Sequence, residues 1–300
     1  MANNLKAMML LAALTALLLI IGYGLGGGPG LVMAIIFALV MNGASYWFSD
    51  KMALMATGAK EVTADEAPEL HRIVEQVAAQ AGLPKPRVAI IQSDQPNAFA
   101  TGRNAKHGVV AVTTGIQRIL DDRELAAVLG HELGHIRNHD ILVSTIAAVI
   151  AGAISFLAWM MQWALIFGGL GGGRRDNNNG MLQLVAMLAV VILAPIAALI
   201  IRMAISRSRE YGADTTGAEI TGTPLALASA LEKLETYSRA VPMRVNPAMS
   251  HMFIVNPLAA QANGDQQGQS WMNSLFSTHP PIPKRVERLQ ALARERSLYA

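Results

Sequence analysis

His131, Glu132 and His135 are the residues of this 300-residue chain whose types and spacing suit them best to chemistry. They lie in the run His131-Glu132-Leu133-Gly134-His135. On a helix, residues four apart share one face, so both imidazoles can reach a single metal ion. The glutamate beside the first histidine then lies next to a water at that ion, where it can take the water's proton. His-Glu-x-x-His on a helix is the pattern of metal-assisted amide hydrolysis, with zinc as the usual ion.

The rest of the composition narrows the metal chemistry. The chain has no cysteine, which excludes disulfides, thiolate ligands and a cysteine nucleophile. Any metal must be held by His, Asp, Glu or carbonyl oxygen, and imidazole with carboxylate suits one zinc ion per chain. Catalytic zinc usually takes three protein ligands and leaves one position for water. A histidine six residues beyond His135 would mark one class of site, but Ile141 stands there. His139 lies too far along the same helix to close a tight tetrahedron. Glu210 is the better candidate, with Asp214 one turn further on the same face. Asp214 is placed to accept a hydrogen bond from the free ring nitrogen of a ligand histidine. On spacing alone, a solvated pair beside Arg207 and Arg209 accounts for these two carboxylates equally well.

Several elements must position these residues. The sequence predicts a helix over 68–81, ended by Gly82 and Pro84. Strands are expected at 88–91, 97–102 and 109–113, the last two joined by the polar turn 103–108. Asp121-Asp122-Arg123-Glu124 opens a helix, its acidic first turn favoured by the helix dipole. That helix carries 125–139. With no breaker in sight, it is expected to run on into the apolar block that follows. Gly134 inside it is a mild weakener. Further helices are expected at 224–240 and 284–296, with a polar Gly/Gln loop at 263–270.

Hydrophobic residues make up 52% of the chain and charged residues 15%, against about 25% charge in ordinary soluble domains. The deficit lies in blocks. No Asp, Glu, Lys or Arg occurs over 7–49, 141–173 or 177–201. The first block splits at Gly26-Gly27-Gly28-Pro29-Gly30, a run unsuited to a helix interior. Its halves, 7–25 and 31–48, are each near the length of a bilayer span. Lys6, Lys51, Lys60, Arg137, Arg202, Arg207 and Arg209 flank one side, and only Arg174 and Arg175 the other. The positive-inside rule makes the first side cytoplasmic, with both termini and the metal motif. The net charge of +3 and pI near 9.3 come without a dense basic run, so no nucleic-acid partner is expected.

The expected fold class is α+β: a multi-pass protein with four transmembrane helices and a mainly helical, zincin-like cytoplasmic domain carrying a small β-sheet. Residues 1–49 form a membrane hairpin, and 50–140 the first half of the catalytic domain. Residues 141–201 form a second membrane pair around a Gly-rich external loop at 168–180. Residues 202–300 form the second half, which supplies the third ligand.

The two motifs together, Glu-x-x-x-Asp after His-Glu-x-x-His, resemble the HtpX family of bacterial membrane metallopeptidases, gluzincins related to CAAX prenyl endopeptidases. The likeness extends to Asn97-Ala98-Phe99-Ala100-Thr101-Gly102, Arg174-Arg175-Asp176, Ser206-Arg207-Ser208-Arg209-Glu210-Tyr211-Gly212-Ala213-Asp214 and Thr278-His279-Pro280-Pro281. It implies zinc bound by His131, His135 and Glu210, with Glu132 as catalytic base. It also implies endoproteolysis of misfolded or damaged membrane proteins as stress-response quality control at the bacterial inner membrane. Expected partners are those substrates and the lipid bilayer. Self-association or contact with other quality-control proteases stays open.

Three further expectations concern the rest of the site. Asn97, Ala98 and Phe99 are candidate substrate contacts on an edge strand that pairs with an extended peptide. An ordinary sheet strand with Phe99 in the core is the equal alternative. His279 or Arg285 is a candidate partner for the developing oxyanion, against ordinary structural roles. Rival functions are a prenyl-protein (CAAX) endopeptidase, which would need a larger membrane chamber, and a metal-stabilised scaffold, which has no use for Glu132. An intramembrane protease is disfavoured by Arg137, Asn138, His139 and Asp140, which put the motif at the water boundary.

Overall fold

Pro68 and Gly82 bracket a helix for opposite reasons. Proline has no amide hydrogen to lose in a first turn, and Gly82 takes the left-handed conformation (φ 66°) that closes the last one. Between them Leu70, Ile73, Val74, Val77, Ala78 and Ala81 are buried on one face. This is the expected helix 68–81. The computed structural model describes residues 2–138, 140, 141, 143, 207–241, 252–255 and 280–299. The third and fourth apolar blocks, the Gly-rich loop at 168–180, His139, the 263–270 loop and His279 lie outside them.

Among the described residues the order is α1 (Ala2–Trp47), α2 (Ser49–Thr57), β1 (Lys60–Glu61), α3 (Pro68–Ala81), β2 (Arg87–Ile91), β3 (Ala98–Thr101), a 3-10 turn (Ala105–His107), β4 (Val109–Thr113) and α4 (Thr114–Ile119). The catalytic-motif helix α5 (Asp122–Arg137) follows, then α6 (Arg207–Thr221), α7 (Pro224–Ala240) and α8 (Ile282–Tyr299). The fold is mostly helical with one small sheet. Helix α1 is broken at Gly27, whose φ of 56° and ψ of −135° are non-helical. The glycine run thus interrupts it where the sequence predicts. Side chains of α1 are described at only part of its positions. Among the described residues no helix is long and apolar enough to cross a membrane.

The sheet runs β1-β2-β4-β3, with β2 and β4 parallel and the two outer strands antiparallel to their neighbours. Alternate residues divide between its faces, as the strand period requires. Val88, Val110, Val112, Ala98 and Ala100 join the main core with α3, α5, α7 and α8. Ala89, Ile91, Phe99, Val109 and Ala111 join a second cluster with Ala53, Leu54, Met252 and Phe253. The three predicted strands are present; β1 was not expected. It is two exposed residues long and has no alternation to detect. Arg87 ties it down, bonding Glu61 at 2.5 Å and also Asp50 of α2. The main core draws on residues from Leu70 to Leu289, so the parts before and after the third and fourth apolar blocks share one interior.

One expectation fails. Helix α5 does not run on without a break: it ends at Arg137, and Asn138 turns aside with ψ near 0°. Asp140, Ile141 and Val143 are helical again. Asn138 is a weak helix former whose side chain competes for backbone hydrogen bonds. The interruption leaves the Asp140 carboxylate free to fold back onto His135.

Candidate metal centre

Helix α5 starts from a capping box. The Asp121 side chain accepts from the Arg123 and Glu124 amides at 2.9 and 2.8 Å, and Glu124 accepts from the Asp121 amide at 3.1 Å. Glu124 also accepts from Ser229 Oγ and Lys233 Nζ of α7, both at 2.7 Å. Burial alone would raise its pKa, but Lys233, Ser229 and the Asp121 amide outweigh that and hold it below the ordinary value. The helix that carries the histidines is therefore rooted at its first turn.

Helix α6 packs antiparallel on α5 through small residues. A β-carbon on Gly134 would lie 3.2 Å from the Ala213 carbonyl, and one on Gly130 3.1 Å from that of Gly217. One on Gly217 would meet the His131 amide nitrogen at 2.6 Å. Glycine at these positions lets the two backbones touch, which brings Glu210 against the histidines. Gly134, read from sequence as a weakness, marks this close approach.

His131, His135 and Glu210 each offer a ligand atom, all within 4.8 Å of one another. His131 Nε2 lies 3.9 Å from Glu210 Oε2, and His135 Nε2 lies 3.5 Å from Oε1. The rings stand edge to face, 4.7 Å apart. His131, Glu132 and Glu210 are buried at 1%, 3% and 5% exposure, whereas the His135 side chain keeps 16%.

Each ring has a carboxylate behind it. His131 Nδ1 is 2.9 Å from Asp214 Oδ1, and His135 Nδ1 is 3.1 Å from Asp140 Oδ2. In the tautomer that metal binding requires, a proton on each Nδ1 satisfies these contacts and leaves both Nε2 lone pairs facing Glu210. Asp214 is held in turn by Arg285, whose Nε and Nη2 donate to its two oxygens at 2.9 and 2.6 Å. Burial would raise the Asp214 carboxyl, yet Arg285 and His131 hold it well below the usual carboxylate range. For His135, burial disfavours the charged ring. The Asp140 hydrogen bond and the charges of Glu210, Glu132 and Asp140 prevail and push its pKa up to about 9. Burial pushes the Glu132 carboxyl up, opposed by His131, His135 and a hydrogen bond from the Ala100 amide of β3.

The donor set fits zinc: two imidazoles and one carboxylate, each imidazole backed by a carboxylate of its own. Over residues 64–293 the chain matches the model of peptidase family M48. The chain belongs to that family. This peptidase is similar to proteins called "Protease HtpX homolog". It is 52% identical to the one from Desulforapulum autotrophicum, over 97% of this chain and 90% of that one. With the one from Thermodesulfovibrio yellowstonii it shares 53%, over 97% and 99%. With the one from Pyrococcus furiosus it shares 53%, over 96% and 95%. Among solved structures, S. mikatae Ste24p matches at 20% identity and a TM-score of 0.48, covering 96% of this chain and 65% of that one. By its membership of family M48 and its likeness to the HtpX homologues, this peptidase is a metallopeptidase.

The other predicted residues fall out as follows. Asn97 and Ala98 lie along the outer edge of the sheet. Phe99 is fully buried, its ring 5.3 Å from that of Phe253. Arg285 is fully buried; its Nε and Nη2 donate to Asp214, and its Nη1 donates to the Ile254 carbonyl at 3.4 Å and lies 4.0 Å from Glu210 Oε2. Asp140 was missed as a histidine partner, because assuming a continuous helix hid its return. The poor helix former Asn138 just before it is the feature that marks the turn.

Proposed function

We propose that this peptidase is a zinc-dependent endopeptidase whose site faces the cytoplasm at the surface of a membrane, acting on misfolded or damaged membrane proteins. One observation carries the chemistry: ligand atoms of His131, His135 and Glu210 lie within 4.8 Å of one another, beside the buried Glu132. His131, His135 and Glu210 would hold a zinc ion, which would supply the Lewis acidity for activating water and polarising a peptide carbonyl. Glu132 takes the proton from the attacking water and delivers it to the leaving amide nitrogen. The Ala100 amide steadies the carboxylate during both transfers. Asp214 and Asp140 hold the imidazoles in their tautomers, and Arg285 fixes Asp214. An oxyanion role for Arg285 would fall to Nη1, the nitrogen not bonded to Asp214.

Sequence and exposure support the membrane setting. Blocks 7–25, 31–48, 141–173 and 177–201 read as four spans, with the charge asymmetry placing both termini inside. Val32, Met33, Ile35, Ile36, Phe37, Leu39 and Val40 of α1 are each more than 40% exposed, an apolar surface suited to lipid. Trp47, at the end of α1, carries Arg103 over its ring at 4.7 Å, a pairing suited to an interface.

Detergent-purified protein should hold one zinc per chain. It should cleave an unfolded membrane protein, whereas Glu132→Gln retains zinc and does not. A wild-type protein that binds zinc and cleaves nothing would point to the scaffold reading. Cleavage confined to prenylated peptides would point to the CAAX reading.

A further inference from the structure

The outer edge of β3 is taken at its Ala98 end. The Thr113 amide donates to the Asn97 carbonyl at 2.9 Å. In an antiparallel pair bonded residues alternate, so Phe99 and Thr101 face β4 while Ala98 and Ala100 turn their polar groups outward. The Ala100 amide goes to Glu132. The Ala98 carbonyl, two residues or about 7 Å along the strand, accepts from the Ile254 amide at 3.0 Å.

Residues 252–255, a 3-10 residue followed by three bends, dock on this edge through one backbone bond and the side chains of Asn97 and Arg285. The Asn97 carboxamide grips Val255 twice: Nδ2 donates to its carbonyl at 2.7 Å, and Oδ1 accepts from its amide at 3.2 Å. Arg285 Nη1 donates to the Ile254 carbonyl at 3.4 Å. Every backbone donor and acceptor of Ile254 and Val255 thus ends on Asn97, Ala98 or Arg285. Phe253 anchors the segment against Phe99, and both rings are fully buried.

We propose that residues 252–255 are a built-in pseudo-substrate. They occupy the Asn97–Ala98 end of the strand edge that an extended peptide would use to lie beside Glu132, and cleavage requires their displacement. This rests on the endopeptidase reading above. A tethered segment competes at high effective concentration, so short peptides that merely visit the site are excluded. An extended segment of a protein held nearby can replace it. Backbone pairing reads little sequence, which suits displacement by unfolded chains in general.

Ile254→Pro removes the amide that bonds Ala98 and leaves Asn97, Ala98, Arg285 and the metal ligands intact. In the Glu132→Gln background, a short fluorescein-labelled Ala/Leu/Ser peptide should bind Ile254→Pro about five- to tenfold more tightly than its parent, from one lost hydrogen bond. With Glu132 present, KM for that peptide should fall by a similar factor at unchanged kcat. Val255→Pro, which removes the amide bonded to Asn97 Oδ1, serves if Ile254→Pro does not fold. Hydrogen exchange on Glu132→Gln protein needs neither variant: the Ile254 and Val255 amides should be protected when free and exchange faster with peptide bound. Equal peptide affinity in the proline variants, or amides that stay protected under saturating peptide, overturns the proposal. Cleavage of an unfolded membrane protein by wild type would then leave the endopeptidase reading standing. If instead peptide displaces the segment but zinc-loaded wild type cleaves nothing, the endopeptidase reading fails and the occupied edge remains.

Discussion

Gly217 lies against the backbone of His131, so closely that a β-carbon there would sit 2.6 Å from the His131 amide nitrogen. No side chain can yield, because the obstacle is helix backbone. Gly217→Ala should push α6 from α5 and carry Glu210 away from the rings. The expected cost is about 1–3 kcal/mol of stability, read by denaturant unfolding, together with weaker zinc retention during dialysis against a competing chelator. Unchanged zinc retention would mean that the helix spacing does not set the ligand geometry.

Glu132→Gln keeps the shape of the side chain and removes its ability to take a proton. Zinc content should match wild type while turnover falls by at least about 10²–10⁴. Residual cleavage within a factor of ten would assign the base elsewhere.

Asp214→Asn and Asp140→Asn should each lower zinc affinity by about 10–100-fold, since each carboxylate fixes one imidazole. The two should differ in folding. Asp214 answers a fully buried Arg285, and Asp214→Asn removes its hydrogen-bonded counter-ion, leaving Glu210 at 4.0 Å, a loss of up to about 3–5 kcal/mol. Asp140→Asn should be milder. Competition titration with a chromophoric chelator and thermal unfolding, run together, separate the two effects.

Zinc binding should release a proton at neutral pH. Without metal, the His135 pKa lies near 9, above its unfolded value of about 6.5. A raised histidine stabilises the fold fully below the unfolded value, and that contribution fades as pH climbs through about 9. Metal-free protein should therefore lose stability between these limits. Zinc uptake in weak buffer at pH 7 should acidify the solution, an effect that disappears above about pH 9.

Glu124 titrates in the opposite sense. Its carboxyl is held below the ordinary value, so its contribution is present above the unfolded carboxylate pKa of about 4.3. It disappears as pH falls through the lower folded value. Glu124→Gln should flatten the acid limb of the stability curve and lower stability at pH 7; an unchanged acid limb would remove Glu124 from that role.

Much of this was readable in the chain because it is local. Pro68 and Gly82 mark their helix by backbone chemistry, and the His131–His135 spacing is a property of one turn. The Gly27 break follows from glycine itself. What escaped was set by partners far away in sequence. Gly134 looks like a flaw until Ala213 is placed beside it. Arg285 binds an aspartate 71 residues away, and nothing around either residue announces the pairing. Strand β1 is too short to carry a period. Asp140 was hidden by an assumption of helical continuity that Asn138 breaks. Phe99 could be read either as a substrate contact or as a core residue; its packing partner Phe253 lies more than 150 positions downstream and gave no local hint.

The clasp of His131, Asp214 and Arg285 has a consequence for the timing of synthesis. The two histidines leave the ribosome long before the aspartate, and the arginine follows close to the carboxyl end. Until that last helix emerges, the aspartate has no guanidinium to set its orientation and the first imidazole has no fixed tautomer. A half-made chain therefore carries the hydrolytic motif without the means to aim it.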